Sequence, residues 1–221
     1  MSPQKKVARK KRASRLIKKL EEIFPDAHIA LRYSSPWELV VAVALSAQCT
    51  DKMVNKVTEK LFKKYPTLED YVQADIREFE QDIKSTGFYR AKAKNVLAAA
   101  KILKEKFGGV VPKSVEELTG LPGVGRKTAN VVLGNAFGVI EGVAVDTHVK
   151  RFATRFDLTD STQPEKIEKD LMEIIPKEKW LSFTYLAIEY GRHIAPARKY
   201  DTTQDPLIDI YPEAAKGWHK Q

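Results

Sequence analysis

The stretch that decides the fold is LPGVGRKTAN, residues 121–130, which has helical patterns on both sides. Gly123 and Gly125 carry no side chain, so they permit a positive φ and let a phosphate approach the backbone. The turn leads into a helix whose first N–H groups lack partners and lie at the positive end of the helix dipole. The stretch therefore predicts two helices joined by a glycine turn that binds a phosphate through its backbone.

Helical periodicity continues along almost the whole chain on either side of this stretch. Ser35-Pro36 begins an apolar helix, and Thr67–Asp70 and Ser114–Glu117 form capping-box patterns that begin two others. One amphipathic helix with a strongly cationic outer face is predicted over 84–106. Because alternating strand patterns are nearly absent, the sequence predicts an all-α protein.

Positive charge is concentrated at the N-terminus. Residues 1–20 hold nine of the 38 Lys and Arg residues and no acid, so the remaining basic residues equal the 29 acidic ones in number. We interpret this segment as an arm that binds phosphate, with a solvated, solubilising arm as the alternative, and predict a helix only from Ser14 to Phe24. Its composition is also compatible with an organelle transit peptide or a nuclear localisation signal.

Two kinds of structure are excluded by composition. The single cysteine, Cys49, excludes an internal disulfide and a metal site built on several thiolates. The most apolar stretch, 39–47, is far shorter than the roughly 20 residues that a transmembrane helix requires. We therefore expect a folded helical protein without disulfides or membrane spans.

The glycine turn resembles the helix-hairpin-helix of the endonuclease III family of DNA glycosylases, and the resemblance extends from about Ile23 to Tyr211. This resemblance implies two helical domains with the active site in a cleft between them. It implies a six-helix barrel at 29–140, containing the hairpin at about 115–137, and a second domain made of 1–28 and 141–221 with a C-terminal loop. The other motifs that carry it are LSAQ at 45–48, TD at 50–51, GFY at 87–89, VDTH at 145–148 and GR at 191–192.

Lys127 is the candidate nucleophile that the resemblance implies. The helix dipole and the neighbouring Arg126 disfavour its charged form, and burial in a cleft would act in the same direction. A neutral amine can attack C1′ of a deoxyribose, expel a damaged base and form a Schiff base, after which β-elimination breaks the strand. Taken without the family, Lys127 would be interpreted as a solvent-facing lysine that binds phosphate.

Asp146 is the second catalytic candidate. It follows the apolar run 143–145 in a pattern typical of a helix N-cap. The resemblance places its carboxylate opposite the lysine, where it can accept a proton and stabilise positive charge on the sugar, and both roles can coexist. The next residues, Thr147 and His148, are assigned to DNA contact, with a structural role as the alternative for His148.

Further residues are assigned to the extruded nucleotide, since a base inside the duplex must be flipped out and the gap filled. Gln48 and Phe88 match the inserting positions of the family, and an aromatic side chain can stack between bases. Core packing is the alternative for Phe88 and Tyr89. Asp51 is assigned to the base pocket or, alternatively, to the N-cap of the helix that follows. The full set assigned to DNA contact is Gln48, Phe88, Tyr89, Gly123, Gly125, Arg126, Thr147, His148, Arg198 and Lys199.

No cofactor is expected, because the cysteines that hold the family's four-iron, four-sulfur cluster are absent. The corresponding positions are Ala195, Thr202, Asp205 and Tyr211, and clusters of this kind need thiolate ligands. The C-terminal loop is expected to hold itself by packing.

The resemblance implies a bifunctional DNA glycosylase and AP lyase that excises oxidised pyrimidines. The alternatives are a G/T mismatch or oxidised-purine glycosylase on the same scaffold, and a non-catalytic helix-hairpin-helix module that only binds DNA. The expected partner is double-stranded DNA with damaged bases or abasic sites, bound by a monomer that has no membrane contact. If the source is prokaryotic, we expect a cytoplasmic, nucleoid-associated protein.

Overall fold

A computed structural model of the chain describes residues 2–196 and 200–216, so Arg198 and Lys199 lie outside the described residues. The chain divides into two compact units. The central unit is Ala30–Glu141, and the terminal unit combines Met1–Ile29 with Gly142–Gln221. The described residues form helices and turns without a strand, so the all-α prediction is confirmed. None of the described helices has the length and apolar character that crossing a membrane requires.

The central unit is built around α2, whose side chains are buried on nearly every side. Ser35 caps α2 by accepting a hydrogen bond from the N–H of Glu38 at 3.2 Å, and proline follows it in the first turn. α2 packs against α3, α6 and α8. The helices of this unit are α2 (Pro36–Ser46), α3 (Asp51–Lys64), α4 (Leu68–Gln73), α5 (Ile76–Asp82), α6 (Tyr89–Phe107), α7 (Val115–Thr119) and α8 (Arg126–Val132), with a 3-10 turn at Lys84–Thr86 and a π-helical turn at Leu133–Phe137.

The terminal unit encloses an aromatic core. Phe152 lies 4.7 Å from Phe156, 5.7 Å from Phe183 and 5.1 Å from Tyr190, measured between ring centroids. α11 packs on α9, and α1 packs on α10 and α11. The helices of this unit are α1 (Pro3–Ile23), α9 (Thr147–Arg155), α10 (Pro164–Ile174), α11 (Trp180–His193) and α12 (Glu213–Lys216), with 3-10 turns at Lys177–Lys179 and Thr202–Gln204.

The basic N-terminal segment is part of the fold. The prediction that its helix begins only at Ser14 is wrong, because α1 begins at Pro3 and buries Leu16 and Leu20 completely. Arg9 is also buried: its Nη2 donates to Oδ1 of Asp157 at 2.6 Å and to Oδ1 of Asp160 at 2.8 Å.

Other cations of α1 pair with carboxylates in the same unit, so the segment is a folded helix rather than a free arm, and its binding of phosphate stays a prediction. Lys5 contacts Asp160 at 2.5 Å, Lys6 contacts Glu173 at 3.0 Å, and Arg12 contacts Asp157 at 2.9 Å. These three ion pairs join α1 to the rest of the terminal unit.

Replacing Arg9 by Ala is expected to lower the free energy of unfolding by about 1.5–3 kcal/mol, because its lost hydrogen bonds join a charged donor to charged acceptors. Urea denaturation of the full chain measures this change. The neighbouring Lys10 is exposed, so Lys10→Ala is the matched control and should change stability by no more than about 0.5 kcal/mol. Equal midpoints for the two variants would show that Arg9 does not anchor α1.

The helix predicted over 84–106 is interrupted. A 3-10 turn at Lys84–Thr86 is followed by Gly87 with φ 70° and Phe88 with φ 47°, so α6 begins only at Tyr89. Its cationic surface also has one exception, since Lys92 is buried with 6% of its surface exposed.

Candidate functional site

The glycine turn joins α7 to α8 as the sequence predicts, but its two glycines differ. Gly123 has φ +78°, and a Cβ added there would lie 2.9 Å from Nδ2 and 3.0 Å from Cβ of Asn95. Both its conformation and its surroundings therefore require glycine. Gly125, the N-cap of α8, has the extended φ of −88° and open space around it. Positive φ is thus needed at one of the two glycines, and neither the backbone conformation nor the surroundings of Gly125 require glycine.

Lys127 lies in the first turn of α8. Ala129, Val131 and Val132 are buried, whereas Arg126 and Lys127 are exposed. Burial of this amine, expected from the sequence, is not found, so residues of the protein do not desolvate it. The helix holds the amine two residues after Gly125, the last glycine of the turn.

Gln48, Phe88 and Gly123, all assigned to DNA contact, line the same cavity of about 210 Å³ in the central unit. Gln48 and Phe88 both have left-handed backbones, with φ 54° and 47°. Phe88 is 67% exposed, so the alternative of core packing is wrong for this side chain. Tyr89, the first residue of α6, is half-buried. The remaining lining residues are Ala44, Ala47, Ala91, Lys92 and Asn95.

Asp51 is the first residue of α3 and half-buried, and the cap of this helix is Thr50. The Oγ1 of Thr50 accepts a hydrogen bond from the N–H of Met53 at 3.3 Å. The alternative of an N-cap at Asp51 is therefore wrong, and its assignment to the base pocket stays a prediction.

Asp146 caps α9, as its sequence pattern indicates. Its Oδ1 accepts hydrogen bonds from the N–H groups of His148 at 2.9 Å and Val149 at 2.8 Å. This cap uses one carboxylate oxygen and fixes the direction of the other. Thr147, at the start of α9, is exposed.

His148 is half-buried against Gly191, where only glycine fits. A Cβ added to Gly191 would lie 2.3 Å from Nδ1 of His148 and 2.9 Å from Nη2 of Arg151. Burial lowers the pKa of His148, against the opposing effect of Asp146. The neutral imidazole is therefore favoured at neutral pH, which supports the structural alternative for this residue over phosphate binding.

The C-terminal loop is held by hydrogen bonds to Asp205, at one of the positions that correspond to cluster cysteines. Its Oδ2 accepts hydrogen bonds from the hydroxyls of Tyr190, at 2.5 Å, and Tyr200, and its Oδ1 accepts one from the N–H of Leu207 at 2.9 Å. Burial and the bond to Asp205 raise the pKa of Tyr200 to about 12, so this hydroxyl stays a donor at neutral pH. Arg155 lies 3.9 Å from the centroid of the Tyr200 ring.

The other three positions do not fit an iron–sulfur cluster either. Ala195 is buried and has no donor atom, Thr202 begins a 3-10 turn, and the ring of Tyr211 lies 3.9 Å from the guanidinium of Arg12. Such clusters need thiolates, and these residues supply none. Over the ranges 2–196 and 200–216, His, Cys, Asp and Glu form no group of three or more that could hold a metal ion.

The predicted site residues are thus divided between the two units. The central unit brings Gln48, Phe88 and Gly123 to one cavity and contributes Lys127, and the terminal unit contributes Asp146 with its neighbours. Sequence analysis missed Lys92, which lines that cavity. The available signal was periodicity: Lys92 lies four residues before Val96, on the apolar stripe of α6.

An all-α protein with a glycine hairpin, an exposed lysine directly after it and an exposed aromatic residue beside it belongs to the helix-hairpin-helix class of DNA-binding proteins. Residues 41–177 match the family described as HhH-GPD superfamily base excision DNA repair protein.

Relatives and solved structures narrow this class to one family. Endonuclease III of Synechocystis is 47% identical, with 95% of this chain and 96% of that protein covered, and endonuclease III of Bacillus subtilis is 47% identical, with 90% of each covered. A trapped endonuclease III–DNA covalent intermediate matches with a TM-score of 0.89 and 44% identity, covering 94% of this chain and 97% of that one. The chain belongs to the endonuclease III family.

Membership of this family defines the class of activity. The protein is a DNA glycosylase and AP lyase of base excision repair, and it binds DNA. The alternative of a non-catalytic DNA-binding module is therefore wrong.

Proposed function

We propose that the protein excises oxidised pyrimidines from double-stranded DNA and cleaves the abasic product, with Lys127 as nucleophile and Asp146 as the assisting carboxylate. The observation that carries the proposal is the exposed position of Lys127 in the first turn of α8, directly after the hairpin glycines. Support comes from the trapped covalent intermediate described for a relative that is 44% identical, because such an intermediate requires a nucleophile.

The proposed reaction begins at the Nζ of Lys127. Its lone pair forms a bond to C1′ while the bond between C1′ and the base breaks, and the base leaves with that electron pair and takes up a proton. The nitrogen then loses two protons, one to Asp146 or water and one to O4′, as the C1′–O4′ bond breaks and the sugar ring opens to the imine. Removal of a proton from C2′ creates a double bond to C3′, and the 3′ phosphate leaves as an anion.

Asp146 is proposed to accept the proton from the amine or from water and to stabilise positive charge on the sugar. Its cap supports this role, because Oδ1 is occupied by two backbone N–H groups and the carboxylate is held in one orientation. Asp146 therefore combines a structural and a chemical task.

The other assigned residues are proposed to bind the DNA. Gln48 and Phe88 insert into the gap that the flipped nucleotide leaves, and Asp51 contributes to the base pocket. Phosphates are bound by the backbone of the hairpin and by the side chains around it. The residues proposed for these backbone contacts are Tyr89, Gly123, Gly125, Arg126, Thr147, Arg198 and Lys199.

We further propose that the protein works as a monomer without an iron–sulfur cluster, in the compartment that holds the DNA. Purified protein is expected to be colourless, to contain no stoichiometric iron, and to keep its full activity after dialysis against a strong iron chelator. Elemental analysis of the active fraction measures this directly. A brown protein that loses activity with its iron would contradict the proposal.

The substrate is tested with a panel of duplexes containing thymine glycol, T opposite G, 8-oxoguanine or an abasic site, each with and without borohydride. Borohydride reduces the imine to a stable amine, so a covalent protein–DNA adduct is expected on thymine glycol and abasic duplexes. Faster excision of T opposite G, or of 8-oxoguanine, would replace the proposed substrate with that alternative.

A further inference from the structure

Lys92 is a buried lysine that bridges two segments of the central unit. Its Nζ donates hydrogen bonds to the backbone carbonyl of Leu45 at 2.8 Å and to that of Thr86 at 2.7 Å. Burial lowers the pKa of this amine, since removing an ammonium from water is costly. The hydrogen bonds to the two carbonyl groups compensate part of that desolvation cost. The remainder is an unfavourable contribution to the stability of the fold.

The two carbonyls lie at the bases of the segments that carry the proposed inserting residues. Leu45 is in the last turn of α2, three residues before Gln48, where helix carbonyls lack partners within the helix. Thr86 is the last residue of the 3-10 turn, two residues before Phe88. One ammonium group therefore ties together the two ends from which Gln48 and Phe88 extend.

Both of these residues need an external constraint. Each has a left-handed backbone, which costs about 1–2 kcal/mol for a residue other than glycine. Phe88 is 67% exposed, so packing of its own side chain does not hold this conformation. The carbonyls of Leu45 and Thr86 precede these two residues in the chain, and both accept hydrogen bonds from Lys92.

The same face of α6 also contacts the hairpin. Asn95, one turn after Lys92, packs against Gly123 so closely that a Cβ would lie 2.9 Å from its Nδ2. Lys92, Asn95 and Phe88 line the same cavity. The first turns of α6 thus connect the Gln48 segment, the Phe88 segment and the hairpin.

We propose that Lys92 is a positioning residue for nucleotide extrusion, which sets Gln48 and Phe88 in advance as a rigid pair that enters the gap in the duplex. This inference rests on the proposed function, in which those two residues insert. Lys92 contacts neither DNA nor the reacting atoms. Its loss should raise the barrier to opening a duplex and leave the chemistry at an already unstacked nucleotide unchanged.

The test compares Lys92→Met with the wild-type full chain on one lesion placed in a duplex and in a single strand. Methionine keeps the unbranched shape but cannot donate to the carbonyls. Excision from the duplex is expected to fall about 10- to 100-fold, as misplacement of positioning groups does, while reaction with the single strand stays within about twofold. Lys101→Met, an exposed lysine of the same helix, should change neither rate.

A second measurement distinguishes positioning from general damage to the fold. If Lys92 acts through the inserting aromatic ring, Lys92→Met should cause little further loss in a Phe88→Ala background, because the two effects are not additive. Should Lys92→Met not fold, Lys92→Arg keeps charge and donors but displaces the two carbonyls, and the same selective loss on duplex DNA is expected. Equal losses on both substrates, or an unchanged duplex rate, would overturn the inference. Absence of any adduct with wild-type protein would instead overturn the proposed function.

Discussion

Lys127→Gln will abolish borohydride trapping and slow cleavage of abasic DNA by about 10³-fold or more, because an amide has no nucleophilic lone pair to form the imine. Lys127 is exposed, so the free energy of unfolding should change by no more than about 0.5 kcal/mol. Single-turnover cleavage and trapping on an abasic duplex measure the effect. Undiminished trapping by the variant would assign the imine to another amine.

The same variant separates catalysis from phosphate binding. If Lys127 only binds phosphate, its removal would weaken DNA binding and reduce the slope of log K against log salt by about one. A nucleophile would leave that slope nearly unchanged, because in the proposed site the hairpin backbone, not the Lys127 side chain, binds the phosphate. Lys101→Gln, at an exposed position of α6, controls for the loss of one positive charge.

Asp146→Asn will reduce base excision by about 10²- to 10⁴-fold, the range that proton transfer by a positioned side chain contributes. Asparagine is about as good an N-cap as aspartate, so α9 keeps its cap and the midpoint of urea denaturation should be unchanged. Excision under single-turnover conditions, measured together with stability, tests both statements. A variant as active as the wild type would leave Asp146 with its structural role alone.

A matched control exists in the central unit. Asp75 caps α5 by accepting hydrogen bonds from the N–H groups of Arg77 at 2.9 Å and Glu78 at 3.0 Å, which is the arrangement of Asp146 at α9. Asp75→Ala and Asp146→Ala should each cost about 1 kcal/mol of stability. Only the second should impair excision, because Asp75 is not part of the proposed site.

Features encoded by neighbouring residues could be predicted from the sequence. The capping box of α4 has both of its reciprocal hydrogen bonds between Thr67 and Asp70, the cap of α9 is Asp146, and α2 begins at Pro36. Each depends on residues two to four positions apart. The hairpin belongs to the same category, since its turn chemistry and its helix start lie within ten residues.

Features that depend on distant partners could not be predicted in this way. Arg9 is buried because it pairs with the carboxylate of Asp157. That partner is 148 residues away, and the composition of a cationic segment does not indicate such a pairing. Lys92 is buried where it donates a hydrogen bond to the carbonyl of Leu45, 47 residues away. The left-handed backbone of Phe88 likewise interrupts a continuous helical pattern, since β-carbon sterics disfavour it and only the surrounding structure maintains it.

The pairing of Arg9 with Asp157 has a consequence for biosynthesis. A ribosome adding about 5–20 residues per second synthesises α1 first and supplies its acidic partner, 148 residues later, after roughly 7 to 30 seconds. The whole of the central unit, Ala30–Glu141, is translated during that interval. During synthesis α1 therefore cannot form the ion pair that buries Arg9 until the last third of the chain has been made.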